Sequence, residues 1–548
     1  MGVRRIIGAS MGNCVHVAGV QHFLDLAERQ GWETLFLGPA VPVEKVLEAV
    51  AEARPDVVAL GYRLTAANVI PLIERLMRGA QSLTFRPHWL FGGTRPVAEA
   101  VRALGFFDTV YDGSEDVDDA IAFLRGEARA QGVERPAQGL IARIGQKSPY
   151  PLLRHHFGLP SPADTERGIA AIAEAHVLDV ISLGIDQNTQ QHFFHPERRD
   201  PKMDGAGGVP VHNAEAFRRL KRASERGNCP LMRCYCGTAD VLLFGEMLLE
   251  TIDNAWCATP LCWFNELDGR GERTVAETVS DAHALIRLHD KRGVPVELNE
   301  PHHWGLRDAH DVISVAMAYL SAYNARACGL ADYVAQYMFN IPGALMFSMD
   351  LAKVLAQIEL AESLASPTFR LYRQTRAGLP FLRSDLDAAK GQLAASTMLQ
   401  MTVKPHIIHV VGYSEAEHAA TSDVVIESCK ITRGVIRSVL DGAADMGSDP
   451  KVQARKQELI SEARVLLDFI ESTYRATSPD PLADPAVIED AIRRGILDAP
   501  HILKNDRFRG TLKTRIADGR CVAWDADAGR PMNEAERLER LAARKEAV

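Results

Sequence analysis

Along residues 3–127 short apolar runs alternate with amphipathic segments. "RRIIGAS" reads as a strand, 17–30 as a helix, "ETLFLG" as a strand and "PVEKVLEAVAEA" as a helix. "DVVALGY", a helical 66–79, "HWLFGG", a further helix, "FDTVYDG" and a closing helix near 115–125 continue the series. Strands alternating with helices at this spacing predict a doubly wound, Rossmann-like parallel sheet. Ligands of such sheets bind at the carboxyl ends of the strands. Gly12–Gly19, Gly61–Thr65 and Gly92–Thr94 fall there.

Residues 128–165, rich in Gly, Pro and Arg, read as a linker and barrel entry. From 166 to 445 the alternation resumes: "VLDVISLGI", "CPLMRCY", "NAWCATP", "VPVELNE", "ADYVAQYM" and "KPHIIHVVGY" look like strands separated by long helical segments. Six to eight such units over this length predict a (β/α)8 TIM barrel, whose chemistry comes from the loops that follow the strands. Residues 446–548 form an extension with a charged helix, a Pro-rich loop, short strands near 511–524 and a charged tail. The expected fold class is α/β throughout.

Composition narrows the partners. The 548 residues are 47% hydrophobic and 24% charged, with a formal net charge of -9. That mild acidity gives no reason to expect a nucleic acid or an anionic membrane as partner. No apolar run reaches the roughly 18 residues of a spanning helix, and no N-terminal signal stands out. Nine cysteines, an odd number in a long chain, fit reduced thiols and a cytoplasmic protein. Cys229, Cys234 and Cys236 have a spacing that matches no usual structural zinc pattern. No phosphate-binding Gly-x-x-x-x-Gly-Lys-Ser/Thr loop occurs.

The stretch Cys14-Val15-His16-Val17-Ala18-Gly19 is one substitution from Asp-x-His-x-x-Gly, the corrinoid-binding signature. With "DVVALGYRLT" and "WLFGGT", each at an expected strand end, the first domain resembles the cobalamin-binding subunit of glutamate mutase. The remainder resembles that family's catalytic barrel subunit. "DVISLGIDQNTQQHFF", "CPLMRCYCGTAD", "WFNELDGRG", "VPVELNEPHHWG", "GYSEAEHAATSDVVIESCKITRGVI", "AIRRGILDAPHI" and "GRCVAWDADAGRPMNEAERLERL" match its motifs in order. Two subunits of the family therefore look fused here, cobalamin domain first.

The resemblance implies adenosylcobalamin as a cobalt cofactor and His16 as the residue that ligates the cobalt from below. Gly19, Leu64, Gly92 and Gly93 would line the cofactor. Cys14 stands where the family has an Asp that hydrogen-bonds the imidazole, and a thiol makes only a weak contact of that kind. Tyr62 stands at a Ser that faces the buried nucleotide tail, so its ring either points elsewhere or fills the tail pocket.

In the barrel, the family holds a dicarboxylate with arginines, which match carboxylates in bidentate fashion. Arg233 matches one of these and Arg154 another, while the third falls on the neutral Gln190. Glu266, preceded by Asn265, occupies the position that contacts the substrate's amino group. Glu415 matches the glutamate near the adenosyl ribose, but its lysine partner is Val411 here. His302, His303 and Trp304 line the cavity or serve packing. The activity implied is a radical carbon-skeleton rearrangement of an amino acid or small carboxylate, with fewer negative charges than glutamate. A homodimer through the barrel is expected. The alternative is a diverged relative that binds a corrinoid or another ligand without mutase activity, or runs a different reaction.

Overall fold

The computed structural model describes residues 4–113, 115, 117–126, 136–237, 239–508 and 510–546. The chain divides into two compact units, Met1–Arg135 and Pro136–Val548.

In the first unit the strands are β1 (Arg5–Ser10), β2 (Glu33–Phe36), β3 (Val57–Tyr62), β4 (His88–Gly93) and β5 (Thr109–Tyr111). Between and after them run α1 (Ala18–Arg29), α2 (Val43–Ala53), α3 (Ala66–Ala80), α4 (Arg95–Ala103) and α5 (Val117–Arg125). Every pairing is parallel and the order is β2-β1-β3-β4-β5, a doubly wound sheet. The strand order reverses between β1 and β3, the point where such sheets open a ligand crevice. Strand β3 is buried along its whole length, as a central strand covered by helices on both faces must be. Two apolar clusters fill the two faces, one around Met11, Leu60 and Phe91, the other around Val20, Phe23 and Leu90.

The second unit is an eight-stranded parallel barrel with an extension. Helix α6 (Leu140–Lys147) leads into β6 (Leu152–Phe157), then α7 (Pro162–Glu174), β7 (Val180–Leu183), α8 (Gln187–His192) and α9 (Ala214–Ser224). Next come β8 (Leu231–Cys234), α10 (Val241–Ile252), β9 (Cys257–Thr259), α11 (Val275–Asp290) and β10 (Val296–Leu298). Helices α12 (Glu300–Gly305) and α13 (Asp311–Ala327) precede β11 (Asp332–Phe339), followed by α14 (Phe347–Glu362), β12 (Arg370–Ala377) and α15 (Leu386–Met401). β13 (Ile407–His409) and α16 (Ser422–Asp441) complete the barrel. The extension holds α17 (Pro450–Tyr474), α18 (Pro485–Arg493), a hairpin sheet β14 (Thr514–Ala517), β15 (Arg520–Asp525), β16 (Arg530–Met532), and α19 (Glu534–Glu546).

The sheet order is β8-β7-β6-β13-β12-β11-β10-β9. Its two ends meet through backbone bonds, Ala255 N to Met232 O at 2.9 Å and Cys236 N to Ala258 O at 3.3 Å. At the amino ends of the strands the interior is apolar: Leu152, Val180, Leu231, Val334 and Ile407 pack with Trp256 and with Leu140 of α6. Among the described residues, no helix is long and apolar enough to cross a membrane.

Two barrel strands escape the hydrophobic pattern. β6 reads "LLRHHF" and lies inside the segment expected to be linker and barrel entry, and β12 reads "RLYRQTRA". Both carry charged or imidazole side chains at positions where an ordinary strand would be apolar. The reason lies in what they face.

Candidate functional site

The loop after β1 is shaped by its glycine. Gly12 has φ +67, and a Cβ there would come within 2.4 Å of Leu72 Cδ1, so only glycine carries the chain through this turn. The turn buries Cys14 and leaves His16 exposed. Cys14 Sγ lies 3.7 Å from His16 Nδ1 and accepts a hydrogen bond from Arg63 N at 3.3 Å. The sulfur thus sits where an orienting partner for the imidazole belongs. A ring whose Nε2 is free to ligate carries its proton on Nδ1, where Cys14 Sγ accepts it; a thiol that gave its own proton to Nδ1 would leave Nε2 protonated.

Beside His16 opens a slot of about 550 Å³ lined by Gly19, Val20, Gly61, Gly92 and Gly93, among others. It is open at Gly92, where a Cβ would meet nothing within 4 Å, whereas a Cβ on Gly61 would strike Val20 Cγ2 at 2.6 Å and one on Gly93 would come within 2.8 Å of Tyr62 O. Tyr62 does not fill it. The ring is fully buried in the apolar cluster on the other face, and its hydroxyl donates to Asn13 Oδ1 at 3.0 Å. Leu64 is 38% exposed beside the start of α3. An exposed imidazole with a sulfur at its Nδ1, next to a deep glycine-floored slot, fits a corrinoid held by His16 with its nucleotide tail in the slot.

The barrel interior one step above the apolar floor is polar. Register places Gln374 beside Ile407 and Leu152, and Arg376 beside His409 and Arg154; His156 pairs with Ser182 and Arg233. Registered neighbours in a parallel sheet share a face, so one inward set carries arginine, glutamine and histidine. Arg154 donates from Nε to Ser182 Oγ at 2.6 Å, from Nη1 to Gln374 Oε1 at 2.8 Å and from Nη2 to His156 Nε2 at 3.0 Å. A guanidinium has no acceptor, so it sets the direction of every bond downstream. Gln374 Nε2 donates to Gln336 Oε1 at 2.8 Å, and Gln336 Nε2 donates to His302 Nδ1 at 2.7 Å. His302 is thereby the neutral tautomer protonated on Nε2.

Glu297 sits in the middle of this set, fully buried. Trp256 Nε1 and Asn299 Nδ2 each donate to it at 2.6 Å, Arg233 Nη2 reaches it at 3.4 Å, and Arg154 Nη1 lies 3.8 Å away. Burial alone raises this carboxyl, but Arg233 and Arg154 overcome burial and hold it below its ordinary range. Burial first, and then Arg154 and the other guanidiniums, push His156 and His409 far down, so both are neutral near pH 7. Their rings lie 4.8 Å apart.

The remaining expected residues are placed less centrally. Glu415, after β13, accepts from Gly412 N at 2.9 Å and lies 3.5 Å from His155 Nε2. Gln190 on α8 donates to Ile185 O at 3.1 Å. Glu266, in the loop after β9, forms an ion pair with Arg507 of the extension, and its backbone carbonyl accepts from Asn505 Nδ2 at 2.9 Å. Arg270 lies over the Phe264 ring at 4.4 Å and 3.6 Å from Asp268. His302, His303 and Trp304 are buried on α12, with Trp304 donating to Glu300 at 3.0 Å. The structure therefore joins Arg154 and Arg233 through Glu297, and leaves Glu266 engaged with the extension.

Glu297, Gln336, Gln374, Arg376, His156 and His409 carry most of the interior polarity and were not singled out from the motifs. The available signal was a charged or imidazole residue inside a three-residue strand, as in "VEL" and "IIH".

Residues 4–122 match the family model described as the B12 binding domain. The first unit is thus a doubly wound B12-binding domain, which indicates cobalamin binding. No curated protein matches the chain. Among solved structures, the chain is similar to a novel cobalamin-binding protein from Desulfitobacterium hafniense, with 21% identity, TM-score 0.20, and coverage of 23% of this chain and 58% of that one. It is also similar to octameric ribulose-1,5-bisphosphate carboxylase/oxygenase from Pyrococcus horikoshii, with 11% identity, TM-score 0.36, and coverage of 60% of this chain and 69% of that one. The chain thus spans little more than half the length of the cobalamin-binding protein.

Proposed function

We propose that the chain is an adenosylcobalamin-dependent enzyme that rearranges the carbon skeleton of an amino acid or small carboxylate. The observation that carries the reading is His16, exposed beside the glycine-floored slot with Cys14 Sγ at its Nδ1. His16 Nε2 would hold the cobalt, and Gly61, Gly92 and Gly93 would admit the nucleotide tail. Bound adenosylcobalamin supplies radical chemistry by homolysis of its cobalt–carbon bond. The barrel residues bind and orient the substrate and keep water from it. Arg233 offers a carboxylate anchor beside Glu297, and the neutral His156 and His409 add hydrogen-bonding capacity without positive charge.

A second reading, a corrinoid-binding relative with different barrel chemistry, is favoured by the pairing of Glu266 with Arg507, which engages the expected amine anchor. Absorption titration of the full chain with hydroxocobalamin and adenosylcobalamin tests the cofactor, with a saturable spectral change expected in wild type and altered cobalt coordination in His16→Ala. NMR assay of the loaded protein with glutamate, 3-methylaspartate and monocarboxylic amino acids tests the reaction. Saturable binding without any rearranged product would select the second reading; no spectral change would reject both.

A further inference from the structure

One group fixes the direction of hydrogen bonding across the barrel interior. A guanidinium accepts nothing, so Gln374 can meet Arg154 Nη1 only with its carbonyl, at 2.8 Å. That turns Gln374 Nε2 toward Gln336 Oε1, 2.8 Å away, and Gln336 Nε2 toward His302 Nδ1, 2.7 Å away. Both amides are thereby oriented, and Nδ1 is left as an acceptor. The relay crosses three strands, from Arg154 on β6 through Gln374 on β12 to Gln336 on β11. It ends at His302 in the first turn of α12, directly after β10.

The imidazole at the end of this relay has one protonation state. A neutral ring that accepts at Nδ1 carries its proton on Nε2. An imidazolium would set Nδ1–H against Gln336 Nε2–H, donor against donor, and break the relay. Burial opposes the imidazolium first; the His303 ring and the guanidiniums of Arg376, Arg307 and Arg154 then add to it and hold this imidazole far below its ordinary range. His302 is 5% exposed, and its Nε2–H makes no hydrogen bond to any described residue. The neighbouring groups cannot take it. His303 packs against the ring at 4.4 Å with the two planes 30° apart, and Arg376, whose own Nε is buried without a bond, has no acceptor. A buried donor left unpaired is costly, and this one stands at the carboxyl end of the strands, where barrels bind their ligands.

We propose that Arg154, Gln374 and Gln336 form a one-way relay that makes His302 Nε2 a fixed, uncharged hydrogen-bond donor to an acceptor oxygen of the barrel's ligand. His302 is the binding residue; Arg154 and the two glutamines are positioning residues. This rests on reading the barrel interior as the substrate site. It decides between the two roles open to His302, cavity lining and packing, in favour of the first. It also gives a purpose to two buried glutamines that no motif marked: an amide passes on the direction of a hydrogen bond without adding a charge.

The test reads the tautomer and the ligand contact directly, by NMR of the full chain, free of cobalamin and labelled with 15N-histidine. Ring resonances that disappear in both His302→Gln and His302→Phe belong to His302. Wild type is expected to carry its proton on Nε2 alone from pH 8 to pH 6. Its N–H resonance should move saturably on addition of butyrate, 2-aminobutyrate or the uncharged butyramide. Gln336→Glu, whose carboxylate accepts from Gln374 and from the ring, should place a proton on Nδ1. His302→Phe should weaken butyramide binding about fivefold, the equivalent of about 1 kcal/mol for a bond between neutral groups. His302→Gln, which keeps an N–H near the same place, should stay within about twofold of wild type. A proton on Nδ1 in wild type, an N–H resonance that none of the three probes moves, or an equal loss in the Gln and Phe variants would each overturn the proposal. Should His302→Phe fail to fold, the shift in wild type still decides. A hydroxocobalamin titration in parallel separates the two levels of argument. Cobalamin binding with an unmoved resonance sinks the donor alone, whereas a moved resonance without cobalamin binding supports the donor and sinks the cofactor reading.

Discussion

The slot beside His16 and the interior of the barrel are built on opposite principles. The slot owes its opening in part to a missing side chain at Gly92, and the imidazole on its rim belongs to a contiguous loop. The barrel site is made by what is added: inward polar side chains on strands up to 220 residues apart in sequence, several of them bonded through the next. At Gly92 such a cavity costs little to alter, since a Cβ there meets nothing within 4 Å. A buried charge network of the second kind is coupled throughout, so removing one member exposes the others.

The largest expected effect tests that coupling. Glu297→Ala leaves Arg233 and Arg154 buried without their carboxylate and should destabilise the barrel by about 3–5 kcal/mol, read as a shift in the urea midpoint. The hydroxocobalamin spectrum should stay that of wild type. A destabilisation below about 1 kcal/mol would show that the network relaxes as easily as the slot.

Next in size is a pH dependence confined to the second unit. His310, fully buried 3.3 Å from Glu534 of α19, is pushed down by burial to about 4 from an ordinary 6.5. Below about pH 6.5 the unfolded imidazole takes a proton that the folded one refuses, so stability falls as pH falls from about 6.5 to about 4. The full loss is about 3 kcal/mol. Urea midpoints at pH 7 and pH 5 check it, and His310→Gln should reduce the difference by the share of His310, while His156, His409 and the other buried imidazoles keep theirs. An unchanged slope in that variant would assign the pH dependence to other groups.

Filling the slot should give the reverse of Glu297→Ala. Gly92→Leu places a side chain in open space, so stability should move by less than about 1 kcal/mol while hydroxocobalamin affinity falls at least tenfold, about 1.4 kcal/mol. Loss of folding instead would show that the glycine floor is structural. The smallest effect belongs to Cys14→Asp. A carboxylate holds Nδ1–H better than sulfur does, so the fraction of His-ligated cobalamin should rise a few-fold, read from the absorption spectrum. A spectrum that ignores this change, together with His16→Ala, would remove His16 as the axial ligand.

The same contrast explains how much could be read beforehand. In the first unit every strand and helix follows from local alternation, and the loop from Gly12 to Gly19 is legible because its residues are neighbours in sequence. In the barrel, the apolar floor follows from pattern, but β6 and β12 do not, because Arg154, His156, Gln374 and Arg376 occupy the inward positions that normally announce a strand. The functional interior is therefore the part of the fold that hydrophobic periodicity hides. Glu266 shows the limit of motif matching: its place in the chain suits the family's amine contact, yet Arg507, about 240 residues away, pairs with its Oε2 and leaves Oε1 buried without a hydrogen bond.

By itself the sequence determined the two-part α/β architecture, the strand-end glycines and the histidine that faces the slot. These follow from period, turn sterics and residues a few positions apart. Tertiary structure alone decided which way Tyr62 points, that Glu297 joins Arg154 to Arg233, and that Arg376 is left with free donors. A single strand determines on which face a side chain stands, but its partners across the barrel are set only when all eight strands have closed in register.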